Sequence, residues 1–202
     1  MTFGVFLFAL GIVVSIQANI GYAPWEVFHV GLSITTGLTI GVASIIVGIV
    51  VVIIVTASGE KFGIGTLLNI IVAGLFVDLI FYMDVIPLGW NLVSGIVMLI
   101  IGMFIISFGS YYYMRSAFGV GPRDNLMVVL TRRTKLPVGL CRGLVELTVT
   151  VAGWFLGGMV GIGTIISVIA VGFCIQIVFA LFKFDVTKVQ HENLKQTFGR
   201  KR

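Results

Sequence analysis

Charge is scarce in this chain. Asp, Glu, Lys and Arg make up 10% of its 202 residues, against about 25% in an ordinary soluble domain. Cysteine and histidine are scarcer still, with two of each. Cys141 and Cys174 both sit in apolar runs and read as small membrane hydrophobes, not as a disulfide or a metal pair. No His-Glu-x-x-His, Gly-x-Ser-x-Gly or Walker Gly-x-x-x-x-Gly-Lys motif occurs. That weighs against an enzyme or a self-sufficient ATP-driven pump, and the expectation is no cofactor and no metal. A basic segment and a small-residue cleavage site are also missing at the start, so the first apolar run is expected to serve as the targeting signal.

What is abundant is apolar sequence. Hydrophobic residues reach 58% and the mean hydropathy is +1.15. Six runs, at about 3–20, 38–57, 65–82, 91–113, 137–157 and 164–182, have the roughly 17–25 residues a bilayer core requires. At that depth the backbone must bond to itself, which makes the spans helices. The lipid bilayer is thus the first expected partner. The net charge of +5 suggests nucleic acid only until its distribution is seen. Lys and Arg occur at Lys61, between Arg115 and Lys135, at Arg142 and from Lys183 onward; segments 20–37, 83–90 and 157–163 have none. With both termini cytoplasmic, every basic segment faces inward. Residues 183–202 read as a basic cytoplasmic tail.

The chain repeats itself at a constant offset of 98. Gly21-Tyr-Ala-Pro24-Trp-Glu26 falls on Gly119-Val-Gly121-Pro122-Arg-Asp124, Gly41 on Gly139, and Gly63-Ile-Gly65-Thr66 on Gly161-Ile-Gly163-Thr164. This gives one transmembrane domain, 1–182, in two halves, 1–84 and 91–182. Three spans per half is an odd number, so the second half would enter the membrane upside down. The expected fold is therefore all-α: six spans as two inverted-topology three-helix repeats. Pro24 and Pro122 suit the first turn of a helix, with an acid two positions later. Short helices over 24–35 and 122–131 are expected, either interfacial or re-entrant, with their N-termini able to face one another. Thr66 and Thr164 are expected as N-caps.

The run Gly21-Tyr-Ala-Pro-Trp-Glu-Val-Phe-His-Val-Gly-Leu-Ser33, then Gly37-Leu-Thr-Ile-Gly41 and Gly63-Ile-Gly-Thr-Leu-Leu-Asn69, resembles the YczE/YyaS/YitT group of bacterial membrane proteins. The likeness covers nearly the whole chain and implies a small protein of the bacterial inner membrane. It supplies no catalytic residues.

Polar side chains inside spans are costly and turn toward a bundle interior or cavity. Arg142 and Glu146 share one helix face at a spacing of four, either as a structural ion pair or as a solute site. Asp78 in the third span has Gln176 as its repeat counterpart. It would either reach external headgroups or form paired ligands with Gln176. Glu26 and His29 lie one turn apart, and Arg123 with Arg142 would suit an anion. Gly95, Gly102 and Gly109, with the pairs Gly139/Gly143 and Gly153/Gly157, read as packing surfaces. Trp90 and Tyr111–Tyr113 read as interfacial anchors.

Two functions are compatible with this pattern. One is a small secondary transporter of a small solute, an anion being compatible, between inverted repeats, using Glu26, His29, Asp78, Arg123, Asp124, Arg142, Glu146 and Gln176. The other is a non-transporting accessory or assembly protein working through helix contacts. A homodimer is compatible with either.

Overall fold

The computed structural model describes residues 2–59, 64–115 and 121–183. The expectations for Gly63, Gly119 and residues 184–202 lie outside these, as do the surroundings of Gly65 and the side chains of Pro122 and Asp124. Among the described residues the chain forms eight helices: α1 (Thr2–Gln17), α2 (Pro24–Thr36), α3 (Ile40–Ala57), α4 (Ile64–Met83), α5 (Leu92–Arg115), α6 (Pro122–Thr134), α7 (Val138–Phe155) and α8 (Ile162–Leu181). The protein is an all-α, multi-pass membrane protein. α3, α4, α5, α7 and α8 are each long and apolar enough to cross a bilayer.

The first expected span is shorter than foreseen. α1 has 16 residues, about 24 Å of helix. It stops because Asn19 takes a left-handed backbone, φ 55°. The Gln17 side-chain amide then donates to the Ile86 carbonyl at 3.0 Å, tying the end down.

α1 and α5 form the central seam, and glycine makes it close. A Cβ on Gly11 would lie 2.6 Å from the Gly102 carbonyl oxygen, and one on Gly109 would lie 2.9 Å from that of Gly4. Ala18 faces Gly95 in the same series, so the two helices run antiparallel. Water does not drive helix association in lipid, and such backbone approach supplies the contact instead.

The remaining pairings are α1 with α4, α5 with α8, α2 with α7, α3 and, slightly, α8, and α3 with α6 and α4; α6 also packs on α7. Advancing by 98 residues turns α1·α4 into α5·α8, α2·α3 into α6·α7 and α2·α7 into α6·α3. The α2·α7 contact is tight because Gly31 meets Gly153. Its counterpart places Val129 and Val55 in one apolar cluster. Valines stand there in place of the two glycines, and an apolar groove of about 540 Å³ runs beside them. Two pairings have no counterpart among the described residues: α2 touches α8 while α6 and α4 form no comparable contact, and, more extensively, α3 packs on α4 while α7 and α8 form no comparable seam.

Three connections meet at one end of the bundle. Gly89 N–H donates to Gln17 O at 2.7 Å, Tyr22 N–H to Met159 O at 3.1 Å, and Gly163 N–H to Ile20 O at 2.8 Å. These are the loops without Lys or Arg. Gly21 permits the junction, with φ 110° and a Cβ position only 2.6 Å from the Gly161 nitrogen.

Two local expectations change. Thr164 is not an N-cap: α8 begins at Ile162, and the Thr164 hydroxyl accepts from the Gly161 N–H at 3.1 Å, closing the turn from inside. Thr66 likewise lies within α4, fully buried. The close Gly21–Gly161 contact fixes the entry to α8, so the threonine is drawn into the first turn. Tyr111 and Tyr113 are buried rather than interfacial, and Tyr111 stacks on Phe182 with centroids 4.4 Å apart. Trp90 is 87% exposed, as an anchor would be.

α2 and α6 end alike, with Gly37 N–H donating to Ser33 O and Lys135 N–H to Thr131 O, each at 2.9 Å. Both C-caps are left-handed, but the second is a lysine at φ 56°. An L side chain in that region costs roughly 1–2 kcal/mol. Lys135→Gly is therefore expected to raise the melting temperature in detergent, with a gain of about 1 kcal/mol.

Candidate functional site

α2 and α6 each start on a proline, and their first turns meet inside the bundle. Arg123 Nη1 lies 3.7 Å from Glu26 Oε1. The same guanidinium sits 4.7 Å from the centre of the Trp25 ring. Trp25 and Arg123 are repeat counterparts, so one position of the repeat meets its own duplicate. Pro24 through Val27 and His29 through Gly31 of α2 are buried against the other helices. His29 lies one turn beyond Glu26, its ring 6.4 Å from that of Trp25.

α7 supplies the second pair. Arg142 Nε donates to Glu146 Oε1 at 2.8 Å. Glu26, His29, Arg123, Arg142 and Glu146 all line one cavity of about 270 Å³, to which all eight helices contribute. Pro24 and Gly121, at the two helix starts, border it too.

The two ion pairs share an asymmetry. The Arg123 side chain is 32% exposed and Glu26 only 8%; Arg142 is 49% exposed and Glu146 14%. In each case the carboxylate is packed behind and the guanidinium is presented. Two preorganised guanidinium forks suit carboxylate or phosphate oxygens.

Asp78 and Gln176 lie elsewhere. Asp78 Oδ1 accepts from the Gly41 N–H at 2.7 Å, and its Oδ2 accepts from the Thr39 hydroxyl at 2.6 Å. The carboxylate satisfies free donors at the start of α3 and pins that end to α4. Gln176 is exposed on α8. Gly21, Gly161 and Gly163 form the loop junction described above.

Ser15 was not anticipated. Its hydroxyl is buried in the cavity wall and has no hydrogen-bond partner among the described residues. A buried unpaired hydroxyl calls for a water or a ligand. The only sequence signal is its spacing of four from Gly11, which places it on the α5-facing side of α1.

The family described as "Family of unknown function (DUF6198)" matches residues 1–180. The chain is similar to the uncharacterized membrane protein YczE of Bacillus subtilis, 34% identical over 177 residues, covering 86% of this chain and 80% of that protein. An uncharacterized protein of Haemophilus influenzae is 33% identical over 180 residues, covering 87% and 82%. The uncharacterized protein YyaS of Bacillus subtilis is 28% identical over 178 residues, covering 86% and 88%. No solved structure matches the chain significantly.

Proposed function

This chain belongs to the DUF6198 family, and from that premise we propose that it is a small secondary transporter, without enzymatic activity, carrying a small anionic solute through the cavity between its halves. The observation that carries this reading is the pair of presented guanidiniums, Arg123 and Arg142, each with its carboxylate packed behind. An entering anion meets two forks of donors and can displace Glu26 or Glu146 from them. The unpaired Ser15 hydroxyl adds a donor in the same wall.

The six-span inverted arrangement is part of the proposal. In its support, α1 and α5 occupy the same place in the repeat and run antiparallel. A site between inverted repeats is where transporters of this build bind their cargo. The membrane is the bacterial inner membrane. The loop junction free of Lys and Arg faces outward, and both termini face the cytoplasm.

The test uses purified protein in proteoliposomes with phosphate, sulfate, acetate, succinate and glutamate as probes. Uptake of at least one anion is expected, with loss in Arg142→Ala and Glu146→Ala. Full transport by both variants would remove α7 from the site. Absence of transport for every probe would remove the anionic reading.

A further inference from the structure

The α3·α4 seam, which has no counterpart between α7 and α8 among the described residues, carries more than a packing detail. Where α3 meets α4, Gly41 and Gly74 touch backbone to backbone: a Cβ on Gly41 would strike the Gly74 carbonyl, and one on Gly74 would lie 2.7 Å from the Gly41 carbonyl. Ile45 lies over Gly74, its Cγ1 2.5 Å from that Cβ position. Asp78 latches the start of α3. The residues 98 further on are Gly139, Gly172, Gly143 and Gln176. The same glycines recur on α7 and α8, yet a Cβ at 139, 143 or 172 would meet nothing within 4 Å. A helix-interior glycine costs roughly 1 kcal/mol against alanine. Here Gly143 and Gly172, both inside their helices, have no neighbour among the described residues to justify it.

The cavity reaches this gap. Arg142 and Glu146 of α7 and Val168 and Ile175 of α8 line it. The connection at 156–161 joins α7 to α8 at one end. Gly139 and Gly143 lie toward the other end, where α7 starts at Val138, and Gly172 lies at the middle of α8. The sealed Gly41–Asp78 contact lies at the end of α3 and α4 that the loop junction occupies. One mouth is shut and the opposite one is unsealed.

We propose that α7 and α8 are a gate caught open. In a second state Gly139 closes on Gly172, Gly143 takes the place of Ile45 beside it, and α3 parts from α4, so that seal and gap change ends. Gln176 then accepts from the Gly139 N–H as Asp78 now does from Gly41. Being uncharged, Gln176 makes the weaker latch, which favours the state seen here. The purpose of this exchange rests on the transporter reading of the cavity; the closure itself does not.

The experiment is oxidative cross-linking of Gly143→Cys with Gly172→Cys in a background carrying Cys141→Ala and Cys174→Ala. Both new side chains enter open space, so the folded protein tolerates them. In membranes, oxidation with copper phenanthroline is expected to hide both thiols from a polyethylene-glycol maleimide while the chain stays monomeric on a gel. The bond would arrest uptake, and reduction would restore it. The closure is overturned if the thiols stay free, or if they link two chains, which would make this face a contact between copies. A cross-link in a protein that moves none of the probes would uphold the closure and remove the anion-transport reading. Uptake without a cross-link would do the reverse.

Discussion

Arg123→Ala is expected to lower the stability of the protein by about 3–5 kcal/mol, the cost of leaving a buried carboxylate without its partner. Glu26 is only 8% exposed at its side chain, and the guanidinium is its charged neighbour at 3.7 Å. The variant also loses the stacking of the guanidinium on Trp25, worth up to about 2 kcal/mol when desolvated. The double variant Glu26→Gln with Arg123→Gln removes both charges together. It is expected to recover most of the melting temperature lost by Arg123→Ala, because no lone charge remains buried. It is not expected to recover uptake, since the presented donor fork is gone. A double-mutant cycle of Glu26→Gln and Arg123→Gln on thermal unfolding in detergent, with Arg123→Ala and proteoliposome uptake measured beside it, separates these effects. A double variant as unstable as Arg123→Ala would show that Trp25 stacking, not charge pairing, holds α6 against α2.

Asp78→Ala should have the second-largest effect. Two hydrogen bonds to a carboxylate, at 2.6 and 2.7 Å, vanish at once. Hydrogen bonds to a charged group contribute about 1.5–3 kcal/mol each, so a loss of about 3 kcal/mol is expected after partial replacement by water. Asp78→Asn keeps an acceptor and should lose about 1 kcal/mol. Thermal unfolding measures both. The alanine variant also frees the sealed mouth. In the Gly143→Cys, Gly172→Cys background it should speed disulfide formation, because the state with α3 released from α4 is favoured. An unchanged rate would uncouple the two mouths.

Local spacing made part of this legible in the sequence. Arg142 and Glu146 are four apart on a helix, and any helix there brings them together. Gly95, Gly102 and Gly109 fall at every seventh residue, and α1 packs against that stripe. Pro24 and Pro122 mark the starts of the short helices because their missing N–H costs nothing there. What was hidden depends on tertiary approach. Glu26 and Arg123 are far apart in sequence, and no local rule pairs them. Asp78 faced headgroups or a ligand on paper; in the fold it meets Gly41 because two glycines let α3 and α4 touch. Gly139 and Gly143 carry the same small-residue signal as Gly153, yet only Gly153 has a helix against it. Composition records what can pack, and not which conformer is occupied.

The contact between Trp25 and Arg123 bears on ancestry. A primordial single-length chain, assembled as an antiparallel pair, would have confronted each side chain at that spot with an identical twin. Two arginines repel, and two tryptophans offer no cation to Glu26. Once duplication gave each copy its own sequence, the twins could diverge into a cation and its aromatic platform, an arrangement closed to an identical pair.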